Sequence, residues 1–171
     1  SPDGERIAFL SGRREDRDLF ALNEAYVIGL DGGTPEMWSH ELYSVCGLGW
    51  SPDSARLVVA ASDLLEGSAT YQSSLYVLEP GRSPHCLTDD LMKPVGAPYP
   101  QGLAGLLRWS TDGRIYFLAD QQGESFLVSV SVETKEIRST ELNIRHIAGG
   151  ACQMTSVSFD GNNGKAVVAS T

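Results

Sequence analysis

The segment Trp50-Ser51-Pro52-Asp53-Ser54, followed after two residues by the apolar run Leu57-Val58-Val59-Ala60, decides the fold. Proline presets φ at about −65°, and an aspartate side chain can bond the backbone of a tight turn. At the fourth position the chain enters the next strand, which favours a positive φ, and glycine adopts a positive φ without strain. The segment therefore predicts a turn between two antiparallel strands. Ser54 stands where glycine is expected, so a positive φ there would be mildly strained.

This turn occurs four times along the chain, at intervals of 50, 59 and 48 residues. Its copies are Ser1-Pro2-Asp3-Gly4, Ser51-Pro52-Asp53-Ser54, Ser110-Thr111-Asp112-Gly113 and Ser158-Phe159-Asp160-Gly161. A run rich in β-branched and aromatic residues follows each copy and opens with a basic residue, namely Arg6, Arg56, Arg114 or Lys165. Further apolar runs complete each period, which predicts four strands per period.

Four antiparallel strands in each period are typical of a β-propeller blade. No extended helical periodicity is present, so the predicted fold class is all-β and a parallel βαβ architecture is excluded. The predicted units are a partial blade 1–39, a blade 40–88, a blade 103–139 after an insertion 89–102, and a partial blade 151–171.

The number of predicted strands indicates an incomplete ring. The chain of 171 residues holds 13 predicted strands, roughly three to four blades, whereas propellers close with about 4 to 8 blades. We therefore expect 1–171 to be a single segment of a larger propeller, with about seven blades in the ring. The alternative is that a second copy completes the ring. Because the sequence starts at Ser1 rather than Met, we expect the natural N-terminus to lie upstream.

Composition excludes several classes of partner. The net charge is −9 and no basic cluster is present, so we expect no nucleic-acid partner. No apolar run approaches the roughly 18 residues that cross a bilayer, so we expect no membrane span. Cys46, Cys86 and Cys152 are odd in number and widely spaced, which predicts reduced thiols and a cytoplasmic protein.

The repeat resembles that of TolB-type propellers and of the N-terminal propellers of the prolyl oligopeptidase family, most closely the acylaminoacyl-peptidase branch. The residues that carry the resemblance are Ser1–Gly4, Ile7–Leu10, Asp31–Gly33, Trp50–Asp53, Leu75–Leu78 and Trp109–Leu118. The resemblance implies a propeller that caps an α/β-hydrolase domain and limits the access of peptides to a Ser-Asp-His triad. The chain contains no Gly-x-Ser-x-Gly motif, so this segment is expected to hydrolyse nothing by itself.

Two other functions stay open. A TolB-like, non-enzymatic propeller would bind protein through its rim or tunnel. A propeller with a metal or sugar site in its tunnel is disfavoured, because His40, His85 and His146 lack ligand spacing and no His or Asp cluster is present. We therefore predict no metal and no cofactor. The expected partners are the remaining blades and a hydrolase domain of the parent chain, or a second copy, with a peptide as the parent's substrate.

The charged loop that contains Arg13, Arg14 and Arg17 is the candidate substrate or partner contact. A guanidinium matches a carboxylate through its two-pronged donor geometry, so these residues could bind peptide termini. The alternative is a solvated hairpin tip.

Four aromatic residues recur at positions that we interpret as equivalent between blades. They are Trp50, Trp109, Tyr76 and Tyr116, and we expect them to pack between neighbouring blades rather than to stack on a ligand.

Overall fold

A computed structural model describes residues 1–16, 22–64, 73–88, 107–121, 124–140, 154–159 and 166–170. These ranges contain thirteen strands and no helix, and every strand pairing is antiparallel. The all-β, antiparallel fold class is thus confirmed. Nowhere in the same ranges is there a helix with the length and apolar character needed to cross a membrane.

The strands form four sheets, and in each sheet neighbouring strands follow one another along the chain. The first sheet contains β1 (Arg6–Ser11), β2 (Glu24–Gly29) and β3 (Glu36–Met37); the second contains β4 (Tyr43–Trp50), β5 (Leu57–Ser62), β6 (Ser74–Leu78) and β7 (His85–Cys86). The third contains β8 (Arg108–Trp109), β9 (Arg114–Gln121), β10 (Glu124–Ser131) and β11 (Ile137–Thr140), and the fourth contains β12 (Met154–Phe159) and β13 (Ala166–Ser170). Each sheet is therefore built from consecutive hairpins.

The repeated turn has the predicted geometry in its first three copies. The amide of its fourth residue donates to the carbonyl of its first, at 2.9 to 3.2 Å. That fourth residue has a positive φ in every case: 75° at Gly4, 61° at Ser54 and 78° at Gly113. Ser54 thus adopts the left-handed conformation that was expected to strain it. Asp160 and Gly161 of the fourth copy lie outside the described residues.

Two apolar interfaces hold the first three sheets together. The first and second sheets share a cluster formed by Ala25, Val27, Trp38, Leu42, Val45, Leu57, Val59, Ala61, Tyr76 and Leu78. The second and third sheets share a cluster formed by Val58, Ala60, Leu75, Val77, Leu87, Trp109, Ile115, Phe117, Val128 and Val130. Because successive side chains of a strand point to opposite faces, β5 contributes to both clusters. All six of its residues are buried.

The second and third sheets come into close contact beside Gly49 of β4. A Cβ atom added at Gly49 would lie 2.6 Å from the carbonyl oxygen of Leu107, which is closer than real Cβ contacts come. At Gly47, an added Cβ would lie 3.3 Å from the Leu107 side chain. The close contact between the two sheets therefore requires a residue without a side chain at position 49.

We expect Gly49→Ala to lower the free energy of unfolding by about 1–3 kcal/mol, because the added methyl overpacks the interface against rigid backbone. Gly29→Ala is the matched control. It also lies in a strand, has no positive φ, and its added Cβ would meet nothing closer than 4.0 Å. Urea unfolding of both variants measures the difference. Equal stability of the two variants would show that the sheets are further apart than described.

Candidate functional site

An arginine of the first sheet stacks on a tryptophan of the second. The Arg6 guanidinium carbon lies 5.1 Å from the ring centroid of Trp50 and 5.8 Å from that of Trp38. The two indoles meet edge to face, with centroids 5.8 Å apart. A guanidinium over an indole face is attracted by the ring quadrupole. The stack therefore couples the turn of the first sheet to the strand before the next turn.

The same two turns are also joined by hydrogen bonds through Ser54. The Asp3 amide donates to Ser54 Oγ at 3.0 Å, and the Arg6 guanidinium donates to the Ser54 carbonyl oxygen. Glycine at this position would adopt the positive φ without strain, but it would lack the hydroxyl that accepts the hydrogen bond. Ser54 thus links its own turn to the preceding one through a bond to Asp3, 51 residues earlier in the sequence.

The stack recurs between the second and third sheets, whereas the equivalent arginine of the third sheet stacks on no aromatic ring among the described residues. Arg56 lies over Trp109 at 4.7 Å. Arg114, the equivalent residue of the third sheet, turns back into its own sheet, where Nε donates to Ser129 Oγ at 3.0 Å and Nη2 to the Glu136 carbonyl at 3.0 Å. In sequence, Val157 stands where the next tryptophan would be. Among the described residues, polar groups of its own sheet hold Arg114.

The two tyrosines do not occupy equivalent positions, which corrects the sequence interpretation. Tyr76 lies on β6, opposite Val59, and its counterpart in the third sheet is Val128, which lies opposite Phe117. Tyr76 is buried in the cluster between the first and second sheets. Tyr116 instead lies on β9 and is half-buried.

The Tyr116 hydroxyl donates to Asp112 Oδ2 at 2.9 Å, so this tyrosine braces the third turn. Its pKa is raised by burial and by the hydrogen bond to Asp112.

The candidate contact loop places two arginines on aromatic side chains. Arg13 lies 4.5 Å from the Tyr26 ring centroid and 5.6 Å from that of Phe9, and these two rings are themselves stacked. Arg14 lies 5.2 Å from the Tyr43 ring centroid. Both arginines are exposed. The aromatic faces thus hold two guanidiniums at the surface. Arg17 lies outside the described residues.

Acidic groups accompany these arginines. Asp16 accepts a hydrogen bond from Arg14 Nε at 3.1 Å, which lowers the pKa of Asp16 and raises that of Arg14. Glu24, at the start of β2, is only 2% exposed. Its Oε2 accepts the Arg13 amide at 3.3 Å, whereas Oε1 receives no hydrogen bond from the described residues. Sequence reasoning missed Glu24, because only the fold shows that this charged residue is buried.

Metal binding finds no support in the described part of the chain. No three His, Cys, Asp or Glu side chains come together there as a metal site would require.

The comparisons with known proteins identify the architecture. No protein-family model and no curated protein matches the chain. Among solved structures, it is similar to a puromycin-hydrolyzing peptidase of Mycobacterium tuberculosis, with 19% identity over 98% of this chain and 27% of that chain, and a TM-score of 0.64. The fold is propeller-like.

Two further structures share this fold. A puromycin hydrolase is 18% identical over 99% of this chain and 24% of its own, with a TM-score of 0.68. TolB from Acinetobacter baumannii is 16% identical over 95% of this chain and 40% of its own, with a TM-score of 0.56. The chain therefore spans only about a quarter of the length of the two hydrolytic enzymes and less than half that of TolB.

We expect Arg56 and Trp109 to stabilise the propeller-like fold jointly. In a double-mutant cycle with Arg56→Met and Trp109→Leu, the coupling energy should be about 0.5–2 kcal/mol, as for a partly desolvated cation–π contact. The control is the surface ion pair of the exposed Arg82 with the half-buried Glu79, whose Nη1 and Oε2 atoms are 3.0 Å apart. It should couple by less than about 0.5 kcal/mol. Urea unfolding measures both. A coupling energy no larger than that of the control pair would show that the Arg56–Trp109 stack does not stabilise the contact between the two sheets.

The carboxylate of Asp53 should make stability depend on pH. Its hydrogen bonds with the Ser51 hydroxyl and the Ala55 amide lower its pKa from the ordinary value of 3.8. The resulting stabilisation is complete above that value and is lost as pH falls below it, through the lower pKa of the folded state. We expect Asp53→Asn to reduce the acid-induced loss of unfolding free energy, measured between about pH 6 and 2.5. Asp31→Asn in an exposed turn is the control, and an unchanged slope in Asp53→Asn would contradict this account.

Proposed function

We propose that the chain is part of the non-catalytic, substrate-gating propeller of a serine peptidase. The observation that carries the proposal is the structural match of nearly the whole chain to two hydrolytic enzymes, with TM-scores of 0.64 and 0.68. The repeat resemblance to the prolyl oligopeptidase family, and to its acylaminoacyl-peptidase branch, supports it. In this proposal the units 1–39, 40–88, 103–139 and 151–171 are blades of a ring of about seven.

The proposed role is control of access rather than chemistry. The Arg–Trp stacks, the Ser54 link and the close contact at Gly49 join neighbouring sheets, and such joints favour a stiff wall. A stiff wall would admit short or unfolded peptides to a hydrolase domain and exclude folded proteins. The reduced thiols of Cys46 and Cys86 accord with the cytoplasmic setting that we propose for it.

Arg13 and Arg14 are the proposed contacts for the peptide's carboxylate. Each is exposed and lies over an aromatic ring, so part of the side-chain entropy is lost before a ligand arrives. A guanidinium can bind a carboxylate with two parallel hydrogen bonds. Arg17 is assigned to the same contact from the sequence.

The second candidate is a TolB-like propeller that binds protein without catalysis. The observation that favours it is the match to TolB, which extends over 95% of this chain at a TM-score of 0.56. The two candidates differ in the region of the full-length protein that is C-terminal to the propeller. A hydrolase domain with a Gly-x-Ser-x-Gly motif in that region supports the first, whereas a chain that ends after the propeller supports the second.

The gating role predicts a dependence on peptide length. We expect the full-length protein to cleave peptides of about 3–10 residues at least about tenfold faster than the same sequences within folded proteins, because a stiff ring admits only short or unfolded chains. Replacement of the predicted nucleophilic serine by alanine is the control for contaminating proteases. Equal cleavage of folded proteins and short peptides would refute gating, and the absence of any hydrolase domain would leave the TolB-like function.

The arginine contact is tested in the same assay. Replacing Arg13 and Arg14 together by alanine should raise KM about tenfold for peptides with a free C-terminal carboxylate and leave KM for C-terminal amides unchanged. Arg82→Ala, in an exposed turn of the second sheet, is the control. Equal changes for both substrates would exclude carboxylate recognition by this loop.

A further inference from the structure

The arginine contact of the first sheet includes a buried carboxylate that the repeat does not require. The pairing of β1 with β2 matches that of β5 with β6, with each residue of the first pair standing 50 positions before its counterpart. The residues 50 positions after Arg13, Arg14 and Glu24 are Asp63, Leu64 and Ser74. The two arginines and the glutamate thus occur together in the first sheet and are all replaced in the second. The repeat alone does not explain them.

Glu24 lies close to both arginines of this contact. Its Oε2 accepts a hydrogen bond from the Arg13 backbone amide at 3.3 Å. Burial and then the charge of Glu24 raise the pKa of Tyr26, whereas the charge of Arg13, whose guanidinium lies over the Tyr26 ring, lowers it. The pKa of Arg14 is raised chiefly by its hydrogen bond to Asp16, and the charge of Glu24 adds to the rise. A buried negative charge therefore lies beside the two exposed guanidiniums.

Acidic residues cancel the positive charge around this contact. Residues 13–18 comprise three arginines and three acidic residues, so their net charge is zero. Glu24 adds one further negative charge, and because it is only 2% exposed, salt screens its interactions less than those of a surface acid. An anion bound here gains directed hydrogen bonds from the guanidiniums but no attraction from a net positive charge. Since Coulomb repulsion by Glu24 grows with the charge of the ligand, a second negative charge on the ligand lowers its affinity.

We infer that Glu24 makes the contact at Arg13 and Arg14 selective for singly charged carboxylates over doubly charged anions such as phosphate monoesters. Glu24 acts through its charge and does not have to touch the ligand. No described residue donates to its Oε1, so among the described residues only the Arg13 amide binds this carboxylate. The ligand class is then a peptide with a free C-terminal carboxylate and no phosphate at the bound end. The inference deepens the proposed carboxylate contact and rests on it, but it does not depend on peptidase activity.

Calorimetric titration with two matched peptides tests the inference. One short acetylated peptide ends in a glycine carboxylate, and the other carries a phosphonate in place of that carboxylate, which is doubly charged in mildly alkaline buffer. We expect the unmodified chain to bind the carboxylate peptide about tenfold more tightly. Glu24→Gln keeps an acceptor for the Arg13 amide but removes the charge. It should bind both peptides more tightly, with a gain about tenfold larger for the phosphonate, so that the preference disappears.

Glu79→Gln is the matched control, because it removes one charge from a half-buried glutamate in a turn of the second sheet. It should change neither affinity, and Glu24→Asp, which keeps the charge, should keep the preference. If Glu24→Gln does not fold, the unmodified chain still decides, since equal or tighter binding of the phosphonate would overturn the inference. A preference that persists in folded Glu24→Gln would overturn it too, while leaving the carboxylate contact in place. Binding of neither peptide would remove the contact itself and the inference with it.

Discussion

The stacking of sheets face to face is the constraint on which the rest of this structure depends. A sheet between two others has no solvent side, so its central strands must be apolar on both faces. β5 shows this most clearly, since Leu57–Ser62 is buried throughout and its alternate residues enter two different clusters.

Apolar stacking alone does not specify how neighbouring sheets are aligned, and the polar contacts provide that specificity. Arg6 and Arg56 each reach forward to a tryptophan of the following sheet. Ser54 accepts a hydrogen bond from the preceding turn. Arg114 is informative by contrast, because it has Ser129 and Glu136 of its own sheet as partners and Val157 ahead of it in sequence. The arginine at this repeat position therefore serves either to join two sheets or to tie one sheet together.

The local elements could be predicted because their causes are local. The turn residues, the positive φ of Ser54 and the strands around them follow from short-range stereochemistry and from residue alternation. Prediction was wrong for the equivalence of Tyr76 and Tyr116, because Tyr76 lies on the third strand of its sheet and Tyr116 on the second strand of its own. The partner of Arg6 and the burial of Glu24 were also missed. Both depend on which residues meet across sheets.

By itself, the sequence determined an all-β chain of antiparallel hairpins with a repeated turn, because turn chemistry and strand alternation act over a few residues. It also carried the resemblance that gives the proposed function. Only the tertiary structure decided that Arg13 and Arg14 lie over aromatic rings and that Glu24 is buried. Those properties arise from contacts between residues on different strands and sheets, whose relative positions no local pattern contains.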